Sequence, residues 1–439
     1  MSDNDSNLPQ GRDPTEQEKA KIANILEMLK QQNISVGSSS AVVPANAADK
    51  KHAFWDTQPM LSMNDNVQEL ANQKMHEPLI PNKEVSELRQ TPYNMPKGFV
   101  WTDIDITDLD EKHQVYDLLN RNYVEDDDCM FRFDYSHEFL QWALTPPGFK
   151  KSFHLGVRSE KTQKLVAFIS AVPATVRAYD NSFPSVEINF LCVHKKLRSK
   201  RLAPVLIKEI TRRANHAGVF QAVYTAGVVL PGPVSTCRYW HRTLNPKKLV
   251  DVGFTRIPHR MTMARMCKLY KLPVETSTPG LTVMTEDHVE GACQLLKVHL
   301  NNFKLAIDFS KEDFAHWFLP RKGVISSHVV LNTDGKVTDL ISYYHLHSSI
   351  IGNPKHSHLN AAYSFYNVAN TVDLEDLMRD ALILAKAEGM DVFNALEQMT
   401  NLDYFNALKF GGGDGNLQYY LYNWCCPTMD SKDVGVVLL

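Results

Sequence analysis

The stretch from residue 187 to residue 204 constrains the fold most, because an apolar run leads through a cationic turn into a helical repeat. The run from Glu187 to Val193 is β-prone and long enough for a buried strand. Apolar side chains then recur at the spacing of an amphipathic helix, at Leu202, Val205, Leu206 and Ile210. The pattern predicts a strand, a loop and the start of a helix, in that order.

The predicted loop is densely basic, with positive side chains at Lys195, Lys196, Arg198, Lys200 and Arg201. The free N–H groups at a helix start and the helix dipole both favour an anion at this position. We therefore interpret the loop as a cradle for phosphate groups. The alternative that the pattern leaves open is a solvated charged turn without a ligand.

Length and charge limit the classes of partner. The chain has 439 residues, 44% of them hydrophobic, which suits a sizeable core and two or more folded units. Its formal net charge of −3 gives no global attraction to nucleic acid, so we expect no nucleic-acid partner. A basic loop on a slightly acidic protein favours a small polyanion such as a nucleotide cofactor.

The cysteines and the apolar runs indicate a cytoplasmic protein. The seven cysteines are odd in number and lack the Cys-x-x-Cys or His–Cys spacing of a zinc site, so we expect reduced thiols and no metal. No apolar run approaches the ~20 residues that a membrane-spanning helix needs. The N-terminus has no apolar signal-peptide core.

Residues 1–50 are expected to form a flexible segment with one amphipathic helix, from Thr15 to Gln32. Thr15 and Glu18 have the spacing of a capping box. One apolar stripe follows, at Ile22, Ile25, Leu26 and Leu29. This stripe could pack on a partner or on the rest of the protein.

The remaining chain contains one order of elements twice. The first set is predicted as strands at 153–157, 165–176 and 186–193, a helix at 202–215 and a strand at 221–225. The second set is predicted as strands at 328–331, 337–346 and 361–368, a helix at 374–385 and a strand at 392–396. Only the first set has the basic loop, so we expect it to bind the cofactor and the second set to build the site for the other substrate.

Two long motifs carry a family resemblance. The run E-I-N-F-L-C-V-H-K-K from Glu187 is similar to the first signature of N-myristoyltransferases, and K-F-G-G-G-D-G from Lys409 is similar to the second. Supporting blocks lie in the family's order, at Phe54–Pro59, Phe131–Ser136 and Tyr224–Pro231. The resemblance extends from about Lys51 to Leu439.

The resemblance implies an α/β (α+β) fold. We expect two tandem GNAT-like acyltransferase halves with pseudo-two-fold symmetry around a mixed, saddle-shaped sheet. The acyl-CoA half is expected at residues 51–245, and the half with the peptide groove and the catalytic C-terminus at 246–439. The GNAT pyrophosphate loop runs Gln/Arg-x-x-Gly-x-Gly/Ala; the loop here keeps Arg198 and Ala203, and Arg201 replaces the central glycine.

The implied activity is transfer of a myristoyl group from myristoyl-CoA to the N-terminal glycine amine of proteins or nascent chains, with release of CoA. Two alternatives stay open. One is a non-catalytic protein that binds acyl-CoA or lipidated peptides, and the other is a GNAT-type acyltransferase that acts on lysine. Residues 1–50 are the candidate segment for ribosome or membrane association.

The resemblance also assigns binding residues. Those expected along myristoyl-CoA are Ala53, Phe54, Trp55, Cys192, Val193, Arg198, Ser199, Lys200, Arg201, Leu202 and Ala203. Those expected along the peptide are Asp126, Asp128, Phe131, Phe133, Tyr239, His241, Ser348, Tyr363 and Asp414.

For the chemistry, the resemblance implies an oxyanion hole on the backbone amides of Phe190 and Leu191. A β-bulge would turn two successive N–H groups the same way. The implied base is the C-terminal carboxylate of Leu439, with Asn189 and Thr225 orienting the amine. The apolar run from Val434 to Leu439 favours a tail that inserts into the fold. Cys192, beside the cations, is a rival candidate as a thiol nucleophile.

Overall fold

The computed structural model describes residues 52–61, 76–126 and 130–439. The strands of this part are β1 (Phe99–Asp103), β2 (Phe131–Asp134), β3 (His154–Ser159), β4 (Leu165–Ala178), β5 (Asn181–Val193), β6 (Gln221–Ala226), β7 (Ser235–Thr243), β8 (Leu281–Val283), β9 (Leu305–Ile307), β10 (Ile325–Leu331), β11 (Val337–His345), β12 (His347–Ile350), β13 (His358–Leu359), β14 (Ala361–Ser364), β15 (Val392–Leu396), β16 (Gly411–Tyr422) and β17 (Val434–Gly435). Its α-helices are α1 (Leu109–Asn122), α2 (His137–Leu144), α3 (Leu202–His216), α4 (Pro246–Asp251), α5 (Met263–Leu269), α6 (Val289–Leu300), α7 (Lys311–Phe318), α8 (Leu374–Ala387) and α9 (Leu402–Phe405). The predicted helix from Thr15 to Gln32 lies outside the described residues.

Fourteen of the described strands form one mixed sheet. Its main path runs β1-β3-β4-β5-β6-β16-β7-β15-β14-β11-β10-β8, and β9 joins it by pairing with β4 and with β17. Most neighbours are antiparallel, but β5 is parallel to β6 and β14 is parallel to β15. The helices α3 and α8 make the two crossovers that parallel neighbours require. A second, three-stranded sheet has the order β13-β12-β2.

The order of strands and helices along this path is the same from either end of the sheet. The sheet therefore contains the two-fold repeat expected from the sequence. The unit β3-β4-β5-α3-β6 corresponds to β10-β11-β14-α8-β15, and each is preceded by an edge strand and two helices. The fold class is therefore as predicted: mixed α/β, with two similarly built halves on one sheet. The division at residue 245 stays a prediction.

Each half contributes strands that pair with strands of the other half. The strand β7 follows β6 in sequence but lies between β16 and β15, while β16 crosses back to pair with β6. The strand β2 pairs with β12, and β9 pairs with β4. The two halves are therefore interlocked through four exchanged strands in the part of the chain that the structure describes.

Most predicted bounds agree with the structure to within a few residues. The helix predicted at 202–215 is α3, and the strand predicted at 392–396 is β15. The strand predicted at 361–368 is too long, since β14 ends at Ser364. After Ser364, the Ser342 hydroxyl accepts the Tyr366 N–H at 3.0 Å and donates to the Tyr366 carbonyl at 2.6 Å. These side-chain hydrogen bonds take the place of the backbone hydrogen bonds between β11 and the residues after β14. Among the described helices, none combines the length and apolar character needed to cross a membrane.

Candidate active site

The strand β5 has a bulge at the centre of the first signature. Across the β4–β5 ladder, Phe168 faces Cys192 and Ser170 faces Asn189, so β5 has one residue more than β4 over this interval. Phe190 has a φ of 55°, which is the left-handed region and unusual for a residue with a side chain. Its N–H donates to Oδ1 of Asn189 at 2.8 Å. The Phe190 N–H, one of the two predicted oxyanion donors, is therefore bonded to the Asn189 side chain in this structure.

Just before the bulge, β5 and β6 separate. Their parallel pairing covers only Ser185–Glu187 and Gln221–Val223, although both strands continue. Asn189 and Thr225 each follow the last paired residues, Glu187 and Val223, by two positions. Both lie at the opening between the strands, where they are half-buried. Parallel strands that separate leave backbone groups unpaired, which suits substrate binding.

The C-terminal tail inserts into the fold, as the sequence predicted. The short strand β17 is parallel to β9, and Val436 is completely buried. The N–H of Val437 donates to the Tyr366 hydroxyl at 3.1 Å. The Asn189 side-chain amide donates to the backbone oxygen of Leu439. The last residue of the sequence thus contacts the bulged strand beside the opening.

The basic loop forms a 3₁₀ turn, Lys195–Lys200, and leads through Arg201 into α3. Arg201 has a φ of 56°, which is the left-handed region that glycine adopts without strain, and it occupies the position of the central glycine in the GNAT loop pattern. No side chain caps the start of α3, which leaves its first N–H groups available to an anion. Such a helix start suits an anion, and the phosphate cradle itself stays a prediction.

The five cations of the loop have different surroundings. Lys195 pairs with Glu125 at 2.5 Å, and Arg198 donates to the carbonyl of Asn122 at 2.6 Å, so both tie the loop to the end of α1. The other three are exposed, and no ion pair or hydrogen bond joins their side chains to the described residues: Lys196, Lys200 and Arg201. These three are available to a ligand.

The aromatic block near the start of the described chain packs beside the cradle. Trp55 stacks on Tyr224 of β6 with ring centres 5.8 Å apart, and Nζ of Lys208, on α3, lies 6.0 Å from the Phe54 ring. Ala53 is exposed, whereas Leu202 is buried and Ala203 is half-buried at the start of α3. The predicted acyl-CoA residues of the two segments therefore adjoin the same helix.

The thiol-nucleophile alternative is wrong. Cys192 is buried with its Sγ 3.9 Å from the carbonyl oxygen of Leu118, and burial raises the pKa of this thiol to about 12. The bulge changes the alternation of β5 so that this side chain enters the core, where burial raises the pKa more than the charge of Arg198 lowers it. His194 is not placed as its base, because its Nδ1 accepts the N–H of Lys196 at 3.3 Å.

The predicted peptide residues form a wall that both halves contribute to. Phe133 on β2 is opposite Ser348 on β12, and its ring centre lies 6.4 Å from that of Tyr363. Phe131 does not face this wall; it is buried with its ring against Phe254. The neighbouring Tyr239 is half-buried, and burial raises its pKa.

His241 is fixed beside the second signature. Its Nδ1 lies 2.7 Å from the Asn394 side-chain oxygen, and burial lowers the pKa of the imidazole although the nearby Asp414 carboxylate opposes the shift. A Cβ at Gly413 would lie 2.4 Å from Nε2 of His241, so only glycine lets the strand pass this ring. Asp414 is exposed.

Two acidic residues of the run before β2, Glu125 and Asp126, form hydrogen bonds and ion pairs within the protein. Glu125 bonds Arg132 and Lys195, and these cations lower the pKa of its carboxyl group. Asp126 accepts the N–H of Phe131 at 2.6 Å. Asp128 lies outside the described residues. Across the described ranges, no three His, Cys, Asp or Glu side chains are grouped to hold a metal ion.

Two residues near the tail were missed by sequence reasoning. Tyr366 binds the tail, and no motif indicated it. Glu187 opens the first signature, and its half-buried carboxyl faces the apolar interior; burial and the negative charge of Asp313 raise its pKa to about 8. An acidic residue inside an otherwise apolar run was the signal that could have identified Glu187.

Comparisons with known proteins agree with the motif resemblance. Residues 78–237 match the family "Myristoyl-CoA:protein N-myristoyltransferase, N-terminal domain", and residues 251–437 match its C-terminal domain. Glycylpeptide N-tetradecanoyltransferase of Drosophila melanogaster is 54% identical over 91% of this chain and 84% of its own length. Glycylpeptide N-tetradecanoyltransferase 2 of Danio rerio is 55% identical over 89% of this chain and 78% of its own.

Solved structures are similar over the same region. The crystal structure of Saccharomyces cerevisiae N-myristoyltransferase with bound myristoyl-CoA has a TM-score of 0.84 and 42% sequence identity. The alignment covers 89% of this chain and 100% of the yeast chain.

Proposed function

The chain belongs to the N-myristoyltransferase family and is an acyltransferase that uses myristoyl-CoA, and from this premise we propose how its own residues carry out the transfer. The proposal is direct attack of an N-terminal glycine amine on the thioester, without an acyl-enzyme. The observation that carries it is the contact between the Asn189 amide and the backbone oxygen of Leu439, at the opening between β5 and β6.

The base in this proposal is the carboxylate of Leu439. An α-amino group has a pKa of ~7.7–8.0, so most of it is protonated at pH 7 and must lose a proton before attack. The buried tail and the Asn189 contact hold Leu439 beside the opening. Thr225, at the same level on β6, is the second polar group proposed to orient the amine.

The oxyanion is proposed to be stabilised by the amides of Phe190 and Leu191. Donors aimed at the developing charge contribute a few kcal/mol, typically ~3–4 for one donor. The Phe190 N–H now donates to the side-chain oxygen of Asn189. The Asn189 side chain must therefore rotate away before the Phe190 N–H can bind the oxyanion. Asn189 would then be free to bind the amine and Leu439 together.

Myristoyl-CoA is proposed to bind along α3. The unpaired N–H groups of α3 and the three available cations suit the phosphates, and Arg198 holds the loop in place. Residues proposed to line the ligand are Ala53, Phe54, Trp55, Cys192, Val193, Ser199, Lys200, Arg201, Leu202 and Ala203. Cys192 would contribute backbone only, because its side chain is buried. Burial of ~12 methylene groups at ~0.8 kcal/mol each supplies most of the affinity.

The acceptor is proposed to lie along the wall formed by Phe133, Tyr239, His241, Ser348 and Tyr363, with Asp414 at its exposed end. A glycine is required because a Cβ would crowd the approach of the amine to the thioester. The predicted peptide contacts of Phe131 and Asp126 are indirect here, since the first packs in the core and the second caps β2. Ribosome or membrane association through residues 1–50, and a cytoplasmic location, remain predictions.

One experiment tests the reaction and its base together. The purified protein is incubated with myristoyl-CoA and a glycine-starting peptide, and mass spectrometry follows addition of the acyl group. A second preparation carries Leu439 as the amide, introduced by protein ligation, which removes the charge and keeps the size. We expect kcat to fall by ~10²–10⁴ with unchanged myristoyl-CoA affinity.

The matched control is protein ligated with the native acid. Full turnover by the amidated protein would refute Leu439 as the base. Absence of acylation by the control would refute the reaction itself and favour a binding protein.

A further inference from the structure

Glu187 occupies the same face of β5 as Asn189, two residues before it. The neighbouring residues Val186 and Ile188 face the opposite side, where they pack against α3. Side chains at i and i+2 of a strand share one face at a spacing of about 7 Å. The Glu187 carboxyl therefore lies below the opening, one step along the strand from the residue that contacts Leu439.

The surroundings of Glu187 are almost entirely apolar. Its partners in the sheet are Val172 on β4 and Val223 on β6, and both belong to the largest buried apolar cluster. The buried tail residues Val436 and Leu438 belong to the same cluster. Among the described residues, none forms a hydrogen bond or an ion pair with the Glu187 carboxyl. A half-buried carboxyl in apolar surroundings, without a donor from the described residues, has no evident structural role.

The charged and titratable groups near Glu187 come from three elements. Asp313 lies on α7 and Tyr366 follows β14, and both are close enough to interact electrostatically with Glu187. Tyr366 also accepts the Val437 N–H, which places the tail over this pocket. The third group is the terminal residue Leu439, which contacts Asn189, the next residue on this face of β5. The strands β4 and β6 contribute valines, so no cation of the described chain neutralises Glu187 there.

A terminal carboxylate alone is poorly matched to its proposed task. Free C-terminal carboxyl groups have a pKa of about 3.5, some four units below the pKa of the amine. Transfer of a proton from the ammonium to such a carboxylate is therefore strongly unfavourable. We propose that ionised Glu187 receives the proton that Leu439 takes from the glycine amine, and that it then releases this proton to solvent. This inference rests on the proposed role of Leu439.

Each bond broken during the transfer is matched by a bond formed. An N–H bond of the ammonium breaks as an O–H bond forms on the Leu439 carboxylate. That O–H bond then breaks as one forms on Glu187, through an intervening water molecule, because no direct contact joins the two carboxyl groups among the described residues. The nitrogen lone pair forms the bond to the acyl carbon. The C–S electron pair leaves with CoA, and the second proton of the attacking nitrogen passes to the sulfur.

The acidity of Glu187 supports this role. Burial raises its pKa to about 8, close to that of an α-amino group, so proton transfer between the two is nearly balanced in free energy. The ionised form that accepts the proton is the minor form at pH 7, and its share grows as the pH rises through 8. Two carboxyl groups in different environments then have different roles in the proton transfer. Leu439, held by Asn189, contacts the ammonium, and Glu187, in the apolar pocket, accepts the proton.

The test is the variant Glu187→Gln, which keeps the shape and removes the exchangeable acid. The rate of amide formation is measured in single turnover from pH 6 to pH 9, with myristoyl-CoA already bound. We expect a loss of ~10²–10⁴-fold at pH 7 that shrinks towards pH 9, where the amine arrives uncharged. Affinity for myristoyl-CoA should stay within two-fold. The control is Asp308→Asn, an exposed carboxylate near the start of β5 that bonds Ser182 at 2.7 Å.

A second substrate separates a proton defect from a packing defect. An azaglycine-starting peptide has the length of a glycine peptide, but its terminal nitrogen is uncharged at pH 7. Glu187→Gln should be impaired far less with this peptide, because no ammonium proton has to leave. An equal loss with both peptides, in a variant that binds myristoyl-CoA normally, would overturn the relay.

The outcomes also distinguish this inference from the proposed function. Normal turnover by Glu187→Gln together with an inactive amidated Leu439 overturns the relay and keeps Leu439 as the base. Normal turnover by the amidated protein overturns both, because the relay passes through Leu439. Loss in both proteins, with recovery of Glu187→Gln on azaglycine, supports the relay.

Discussion

At the scale of single residues, two features of the site are unfavourable for folding at neutral pH. Glu187 is an acid between valines of the two neighbouring strands, and Phe190 has a backbone conformation that disfavours a side chain. Functional sites commonly retain such features at the expense of stability. Replacement of these residues therefore separates stability from activity.

The stability of the protein should depend on pH through Glu187. Its folded pKa of about 8 lies above the ordinary value of 4.5 for a glutamate, so the folded state binds the proton more tightly than the unfolded state. The contribution is full below pH 4.5 and is lost progressively as pH rises to 8. In Glu187→Gln this loss is absent, so we expect its urea midpoint to exceed that of the wild type increasingly from pH 6 to pH 8.

Asp308→Asn is again the control, and its midpoint should follow the wild type. Parallel pH profiles for Glu187→Gln and the wild type would show that the carboxyl is not buried in solution.

At the scale of elements, the strand–loop–helix stretch from residue 187 to residue 204 was the most predictable part. The apolar run, the cations and the helical period are local patterns, and each determines structure within a few residues. The left-handed conformation of Arg201 was not predictable from its identity, because arginine rarely adopts it. Its alignment with the glycine of the GNAT loop was the signal that could have indicated it.

Two variants of Arg201 separate its charge from its conformation. Both Arg201→Gly and Arg201→Ala remove one cation from the cradle, so both should weaken myristoyl-CoA binding by about ten-fold at low salt and less at high salt. Glycine adopts a φ of 56° without strain, whereas alanine does not. Arg201→Gly should therefore be more stable than Arg201→Ala by about 1 kcal/mol.

Calorimetric titration measures the affinity, and urea unfolding measures the stability. Unchanged affinity in both variants would exclude this side chain from the anion site. Equal stability of the two would show that the loop relaxes to another conformation when the arginine is absent.

The remaining differences from the sequence-based expectation have a common cause. The end of β14 at Ser364 depends on the Ser342 hydroxyl, and the burial of Cys192 depends on a bulge at Phe190. Tyr366 reaches the tail from 71 residues away in sequence. These are contacts between distant segments, which local periodicity does not contain. The insertion of the tail was predictable because its apolar run contrasts with the polar segment before it.

At the scale of the whole molecule, the exchanged strands make the two halves depend on each other. Both sheet neighbours of β7 are strands from beyond residue 245, namely β15 and β16. Both neighbours of β16 are strands from before it, namely β6 and β7. The active site shares this arrangement, because Leu439 from the end of the chain contacts Asn189 on β5. A separated half would expose a long unpaired strand and lack part of the site.

We therefore expect residues 1–245 and 246–439 to aggregate when each is produced alone and to form an active complex when produced together. A protease site inserted into the exposed 256–260 segment provides the control, since cutting there leaves every strand pair intact. The cut protein should stay associated and active. In calorimetry the intact protein should unfold in one transition, with a calorimetric enthalpy close to the van 't Hoff value. Two resolved transitions, or a soluble folded fragment, would mean that the halves are independent domains that only dock.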